Sequence, residues 1–403
     1  MSRVPGRSAR DHSSGSSEAR RSDISVQAVT SDQVGTRVLR AVIITAVVFA
    51  ALWFGFGVLT EPELFADLPP NVSKLLQALF AIILGVGGIW ALFYAGNTII
   101  EALPAKATDF LRPYLFVLPA IAVVGLYLVY PTVGTVAQSF TEVPEGAGPL
   151  QNYADAFTNE DVLIALRNNA VWLLIAPLVS VLIGLIFAGM VDRIRLESVA
   201  KSFVFMPLAV SFVGASVIWK FIYAWKPPGQ PQIGVLNAAW VWAGGFLVNW
   251  GILEEVEPIA WLQVIPWNTL ALIVIMIWLQ VGFAMVVLSA AIKGVPGELT
   301  EAARIDGATE RQTFFKIIVP SIWGALLTVY TTIAIAVLKV FDIIFVTTGG
   351  NLDTSVVAVR MYQEMFRFRN FGQATTMAVI LLVAVIPIMV INIRNLKRQG
   401  VGA

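Results

Sequence analysis

Residues 267–291 read WNTLALIVIMIWLQVGFAMVVLSAA, a run of 25 residues without a single charge. At about 1.5 Å of rise per residue, a helix of that length crosses the roughly 30 Å hydrocarbon layer of a bilayer. Seven further apolar runs of comparable length lie at 41–59, 75–100, 113–138, 168–190, 202–224, 318–346 and 373–393. The whole chain of 403 residues agrees with them. Its hydrophobic content is 57% and its charged content 13%, about half the usual share for a soluble domain, and its mean hydropathy is +0.78. The short stretches of alternating polarity that a membrane β-barrel requires are absent. The fold class expected is therefore all-α, a polytopic integral membrane protein with about eight transmembrane helices.

Composition also removes many functions. The 27 basic and 26 acidic side chains leave a net charge of +1, which argues against a nucleic-acid partner. There is no cysteine, and the single histidine, His12, stands in a Ser-rich stretch. Disulfide frames, Cys/His metal clusters and Cys or Ser-His nucleophiles are thus excluded. No G-x-x-x-x-G-K-[ST] motif is present to cradle nucleotide phosphates.

Residues 1–36 hold nine Ser, five Arg and few large apolar side chains, and read as a disordered basic tail. The pair Arg20-Arg21 resembles a twin-arginine export signal only superficially, because the apolar run that follows begins about 20 residues later and is of full spanning length. Two spans occupy 37–110. The connection 102–112, with Pro104 and Pro113 as breakers, separates them from a block at 111–396. No repeat of fixed period and no clear inverted repeat is visible.

Orientation follows from the basic residues, which cytoplasmic loops retain. With the N-terminus inside, 19 of the 27 Lys and Arg fall on the inner side, whereas 139–166 has no Lys or Arg and five carboxylates. Both termini are therefore expected in the cytoplasm. Ile233 to Leu253 is apolar enough to resemble a ninth span, but counting it would place Lys293, Arg304, Arg311 and Lys316 outside. Its Gly244-Gly245, Asn237, Asn249 and three tryptophans fit an outer interfacial or re-entrant segment instead.

The loop 294–320 contains Glu298–Pro320, ELTEAARIDGATERQTFFKIIVP. Its periodicity predicts a short helix through Ala302 and Ala303, a break at Gly307 and a second helix entering the membrane after Lys316. Pro320 is expected near the first turn of the seventh span, where a missing N–H costs nothing. Ala302 and Ala303 leave a shallow helix face, and Glu301 and Asp306 give it a charged edge.

This pattern resembles the cytoplasmic loop of the membrane subunits of ATP-binding-cassette (ABC) importers. That loop has Glu-Ala-Ala, three residues, Gly, nine residues, Ile, one residue and Leu-Pro. Here Glu301-Ala302-Ala303, Gly307, Ile317 and Val319-Pro320 stand at those spacings, with Val319 the one departure. Further stretches are similar to the sugar-importing branch, and within it the alpha-glucoside and maltose type: LRPYLFVLPA (111–120), KSFVFMPLAVSFVGASVIWKF (201–221), VFDIIFVTTGG (340–350) and MYQEMFRFRNFG (361–372). The resemblance covers 111–396 and implies a six-helix type I importer core. It implies that Glu301 to Gly307 is a coupling helix seated on an ATPase subunit, with Asp306 and Pro320 in the same loop.

It also implies the assembly: a second homologous permease subunit, an ABC ATPase dimer that binds ATP and Mg, and an extracytoplasmic sugar-binding protein, all in a bacterial or archaeal cytoplasmic membrane. This chain would then be no enzyme and carry no cofactor of its own. Glycerol phosphate or polyamine cargo is a variant of the same reading. An ion-coupled secondary transporter would need intramembrane carboxylates at mid-depth, where essentially only Asp342 stands. A membrane anchor would leave the loop motif without a purpose.

The residues themselves suggest a path. In the seventh run Thr328, Thr331, Thr332, Lys339 and Asp342 recur at helical spacing. Sixteen Leu, Ile, Val and Phe between 318 and 346 favour insertion by roughly 5–10 kcal/mol, against roughly 5–7 for two charges. Such a stripe should face protein or water. Lys339 and Asp342 either pair with each other or, with Gln280 of the sixth run, line a route for a hydroxylated solute. Trp278 has a plane on which a sugar ring can stack, and equally a packing role. Trp219, Tyr223 and Trp225 are read first as an interfacial belt.

Overall fold

The computed structural model describes residues 31–61, 69–103, 105–191, 195–252 and 254–398. The tail residues 1–30, with His12 and the Arg20-Arg21 pair, lie outside them, as do Pro104 and Arg193. Ser31 to Thr36, read from sequence with the tail, form the first turns of a helix instead. Contacts divide the chain into two units, residues 1–130 and 131–403.

The first unit holds α1 (Ser31–Thr60), α2 (Pro70–Glu101) and the beginning of α3 (Lys106–Thr141). Small residues meet large ones where its helices touch. A Cβ on Gly55 would fall 2.5 Å from Leu84, one on Gly88 2.6 Å from Leu52, and one on Gly96 2.4 Å from Leu115. Elsewhere these helices expose Phe, Trp, Ile and Val, as a lipid-facing surface must.

The second unit is built on α5 (Glu160–Val191), α9 (Trp267–Lys293) and α12 (Trp323–Leu338). Trp172, Leu272, Ile275, Met276, Met285, Leu288 and Ile333 are all fully buried in its core. Glycines set the helix spacing on both sides of α9. A Cβ on Gly184 of α5 would lie 2.5 Å from Cβ of Ala284, and one on Gly282 would lie 2.4 Å from the carbonyl oxygen of Val204. Lipid tails are as apolar as the side chains, so no hydrophobic force drives membrane helices together, and they associate through such close backbone approach.

All eight expected runs are helical, and two of them are bent. The fifth divides into α6 (Glu197–Phe205), continued by a tight turn to Ala209, and α7 (Phe212–Ile222), with 101° between the two parts. Pro207 starts the tight turn, and Ser211 caps the new helix by accepting from the Gly214 N–H. The seventh divides into α11 (Glu310–Ser321) and α12, bent by 67°. Pro320 therefore lies in the last turn before a bend, and not at the head of the span. The helix widens to π geometry over Phe314–Ile318 immediately before it, which eases the clash of a proline ring with the preceding turn.

Ile233 to Leu253 contains α8 (Val235–Asn249). Its 15 residues reach about 22 Å, short of a bilayer core. Asn237 is buried and ties α8 to its surroundings, donating to the carbonyls of Ala224 and Ile259 and accepting from the Ile259 N–H and the Trp261 indole. The remaining helices are α4 (Gln151–Thr158), α10 (Gly297–Ile305), α13 (Asp342–Thr347), α14 (Val357–Tyr362) and α15 (Phe371–Arg398).

Candidate functional site

The segment after α9 forms a helix, a turn and a second helix. α10 carries Glu301, Ala302 and Ala303; Glu301 and Ala302 are exposed and Ala303 is buried. Asp306 ends the helix, its N–H returning to the Ala302 carbonyl. Gly307 then adopts φ +80° with open space around its missing side chain. The requirement for glycine is thus set by the backbone alone, since left-handed φ costs other residues about 1–2 kcal/mol. Thr309 starts α11 with a reciprocal capping box: its hydroxyl accepts from the Gln312 N–H, and its own N–H donates to the Gln312 side chain. Arg304 bridges to Glu310 at 3.0 Å, closing the turn. Leu299 and Ile305 are exposed, Ile305 by 86%. Apart from buried Ala303, the segment presents an apolar-edged helix that is largely exposed among the described residues.

The membrane stripe differs from its expected form. α12 ends at Leu338, so Lys339 and Asp342 do not continue the face of Thr331 and Thr332. Thr331 is buried and Thr332 exposed; each hydroxyl bonds back to its own helix, at Leu327 and Thr328 respectively. No ion pair joins Lys339 to Asp342 among the described residues. Asp342 opens α13, where a carboxylate suits the helix N-terminus. Trp278 and Gln280, two positions apart on α9, point to opposite sides. Trp278 packs edge-on against Trp219 at 5.8 Å, and Gln280 is buried.

Of the expected aromatic belt, Tyr223 is buried and Trp219 and Trp225 are half-buried. Tyr223 is 5% exposed and its hydroxyl donates to the Ala271 carbonyl at 2.9 Å; the Trp225 indole donates to Pro258. These rings find partners inside the protein because the bend after Ala209 turns α7 against α9.

Lys339 lies elsewhere, in a cavity of about 370 Å³ with Phe341, Met361, Tyr362, Met365 and Phe366. Four rings adjoin in sequence there: Phe345 stacks on Phe341 at 4.9 Å, Tyr362 meets both, and Phe366 follows at 4.9 Å. The cavity is of small-ligand size and chemistry, aromatic with one cation. Sequence reading missed this group because its members come from the joint after α12, from α13, and from α14 and the turn that follows it, whose meeting no periodicity announces.

A second network was also missed. The stretch 354–359 is buried throughout, and three asparagines hold its approach. Asn168 donates to the carbonyls of Asp353 and Ser355, Asn169 accepts from the Val357 N–H, and Asn268 donates to the Leu352 carbonyl. Arg360 spreads its guanidinium between Asp161 and Glu364, both at 2.9 Å. Adjacent asparagines inside an apolar run were the signal available.

A family profile described as "Binding-protein-dependent transport system inner membrane component" matches residues 180–397. The chain is similar to the osmoprotective compounds uptake permease protein GgtC of Synechocystis, 50% identical over 71% of this chain and 99% of that one. It is also similar to the alpha-glucoside transport system permease protein AglF of Rhizobium meliloti, 42% identical over 82% of this chain and 100% of that one. Among solved structures, a chain of a bacterial alginate ABC transporter in complex with a periplasmic protein bound to alginate pentasaccharide aligns with TM-score 0.57. That likeness covers 73% of this chain and 96% of the other at 20% identity, and shows a shared fold.

Proposed function

This chain belongs to the family of binding-protein-dependent transport system inner membrane components, and on that premise we propose that it is a permease subunit of an ATP-driven sugar importer. It would form half of the transmembrane path, paired with a second homologous permease subunit. The observation that carries the reading is the helix–turn at Glu301–Gly307, whose residue types match the importer loop and of which Glu301, Ala302, Asp306 and Gly307 are exposed. A separate ABC ATPase dimer, binding ATP and Mg, would seat on Glu301, Ala302, Ala303, Asp306 and Gly307. An extracytoplasmic binding protein would deliver the solute at the opposite face. Both termini would then lie in the cytoplasm.

The named substrates of the two similar permeases, alpha-glucosides and osmoprotective compounds, support a hydroxylated, weakly charged cargo. The cavity beside Lys339 suits it. Aromatic faces pack against sugar C–H groups, and an ammonium donates to hydroxyls. Thr332 and Asp342 remain candidate polar positions of that route, whereas Trp278, Gln280 and buried Thr331 do not line this cavity.

Motion follows from the geometry of the handle. Closure of the ATPase dimer would displace α10, and the cap at Thr309 and the Arg304–Glu310 bridge would pass the displacement to α11 as a rigid-body rotation.

The test is co-purification. Tagged chain should carry an ATPase whose hydrolysis rises when sugar-loaded binding protein is added to reconstituted vesicles. Uptake that persists without any bound ATPase and follows an ion gradient would overturn the proposal.

A further inference from the structure

Helix α6 divides its surface into three stripes at spacings of four and three. Glu197, Lys201 and Val204 face α9, where Lys201 bonds Ser289 and Glu197, and Lys293 also reaches Glu197. Val199, Phe203 and Met206 are exposed apolar side chains. Between them, Ser198, Ser202 and Phe205 line an open cleft of about 700 Å³, to which Arg195 and Val286 of α9 also contribute. Such a volume holds on the order of twenty waters at about 30 Å³ each.

The lining is graded. At the end next to Lys293, from which the 294–320 segment departs, Arg195 and Lys201 line the cleft and Lys293 adjoins it, with Glu197 the carboxylate among the described residues there. Arg195 is exposed and enters no ion pair among the described residues. Two serine hydroxyls come next, and Phe205 and Val286 end the sequence. Ser202 returns its proton to the Ser198 carbonyl, leaving its oxygen free to accept. A cationic end, a hydroxyl step and an apolar end, in that order along a cleft open beside lipid-facing side chains, match an amphiphile with an anionic head.

We propose that this cleft binds an anionic phospholipid of the leaflet on the side of the 294–320 segment. The phosphate would sit at Arg195 and Ser198, with the Lys201 and Lys293 charges behind it, and an acyl chain would run along Phe205 and Val286. Basic clefts between membrane helices recognise acidic headgroups in this way, because guanidinium and hydroxyl donors fit phosphate oxygens while the chain stays in hydrocarbon. The proximity of Lys293 to α10 places the lipid where its charge bears on the segment that would receive the motor.

The full chain, purified with whatever partners remain bound, is equilibrated in vesicles of equal phosphatidylglycerol and phosphatidylcholine. Retained lipids are then counted by native mass spectrometry. One phosphatidylglycerol should be retained in preference to phosphatidylcholine. Arg195→Gln should weaken the preference about fivefold and Arg195→Glu about thirtyfold, as loss and reversal of one surface charge imply. Ser202→Glu, on the exposed lip, should abolish it independently, and Arg394→Glu, an exposed charge outside the cleft, should leave it unchanged. Equal retention of the two lipids overturns the proposal. So does displacement by millimolar inorganic phosphate, which would mark a site for the free ion. A photo-crosslinker at Ser198 that captures polypeptide in place of lipid would show the cleft to be a protein interface and would also overturn it.

Discussion

Two segments flank α12, and they are built on opposite terms. On one side, Glu301 to Glu310 is exposed almost throughout, with Ala303 buried and Ala308 half-buried. On the other, Thr354 to Val359 is buried and fastened to α5 and α9 by asparagine side chains and by Arg360. The first is shaped by its own backbone: a left-handed glycine, a capping box and a surface ion pair. The second is shaped by the rest of the unit. Local devices make a segment that moves as a piece and stays open to a partner, whereas long-range bonds make one that cannot shift without disturbing two central helices.

Substitutions at three positions sharpen this contrast. Gly307→Val should reduce uptake to background with normal membrane insertion, because the turn must leave φ +80° and swing α10 away. Gly307→Asn should retain most uptake, since asparagine tolerates that region. Uptake assays on matched amounts of protein decide it; equal loss in both variants would point to a contact made by the glycine surface and not to its conformation.

On the fastened side, Arg360→Ala leaves Glu364, 6% exposed, without its counter-charge, and should cost about 3–5 kcal/mol. It should read as a lowered thermal midpoint in detergent. Arg360→Lys, keeping the charge but losing the fork between Asp161 and Glu364, should fall between the two. A midpoint unchanged in the alanine variant would show that segment to be less tied than the bonds suggest. Smallest is Thr309→Ala, which removes one cap at a cost of about 1 kcal/mol. It should blunt coupling mildly, seen as ATP hydrolysis less responsive to loaded binding protein, with the thermal midpoint nearly unchanged.

Much of this was legible in the residues. Eight apolar runs announced eight helical segments because lipid imposes one rule along the whole length of a span. The helix, turn and helix at 297–321 was legible because glycine, a capping threonine and small residues each have a local meaning. The bends were not, although Pro207 and Pro320 mark them, since the chain on both sides of each is equally apolar and hydropathy carries no direction. The stripe through Lys339 and Asp342 failed for the same reason: spacing presumes a helix that in fact stops at Leu338. The aromatic cavity and the asparagine bonds join residues as far as 188 positions apart, and no local pattern encodes a meeting at that range.

The glycines at the two α9 contacts, Gly184 of α5 and Gly282 of α9 itself, have a consequence for how such a machine can work. With Gly184 pressed on one flank and Gly282 on the other, neither α5 nor α6 has clearance to slide or roll along α9, so these three travel together as a single plate. Any stroke delivered to the protein must then be absorbed at its creases, Ala209–Phe212 and Ser321–Trp323, which makes those two short joints the places where a stiffening substitution would stall the cycle without touching either cargo or motor.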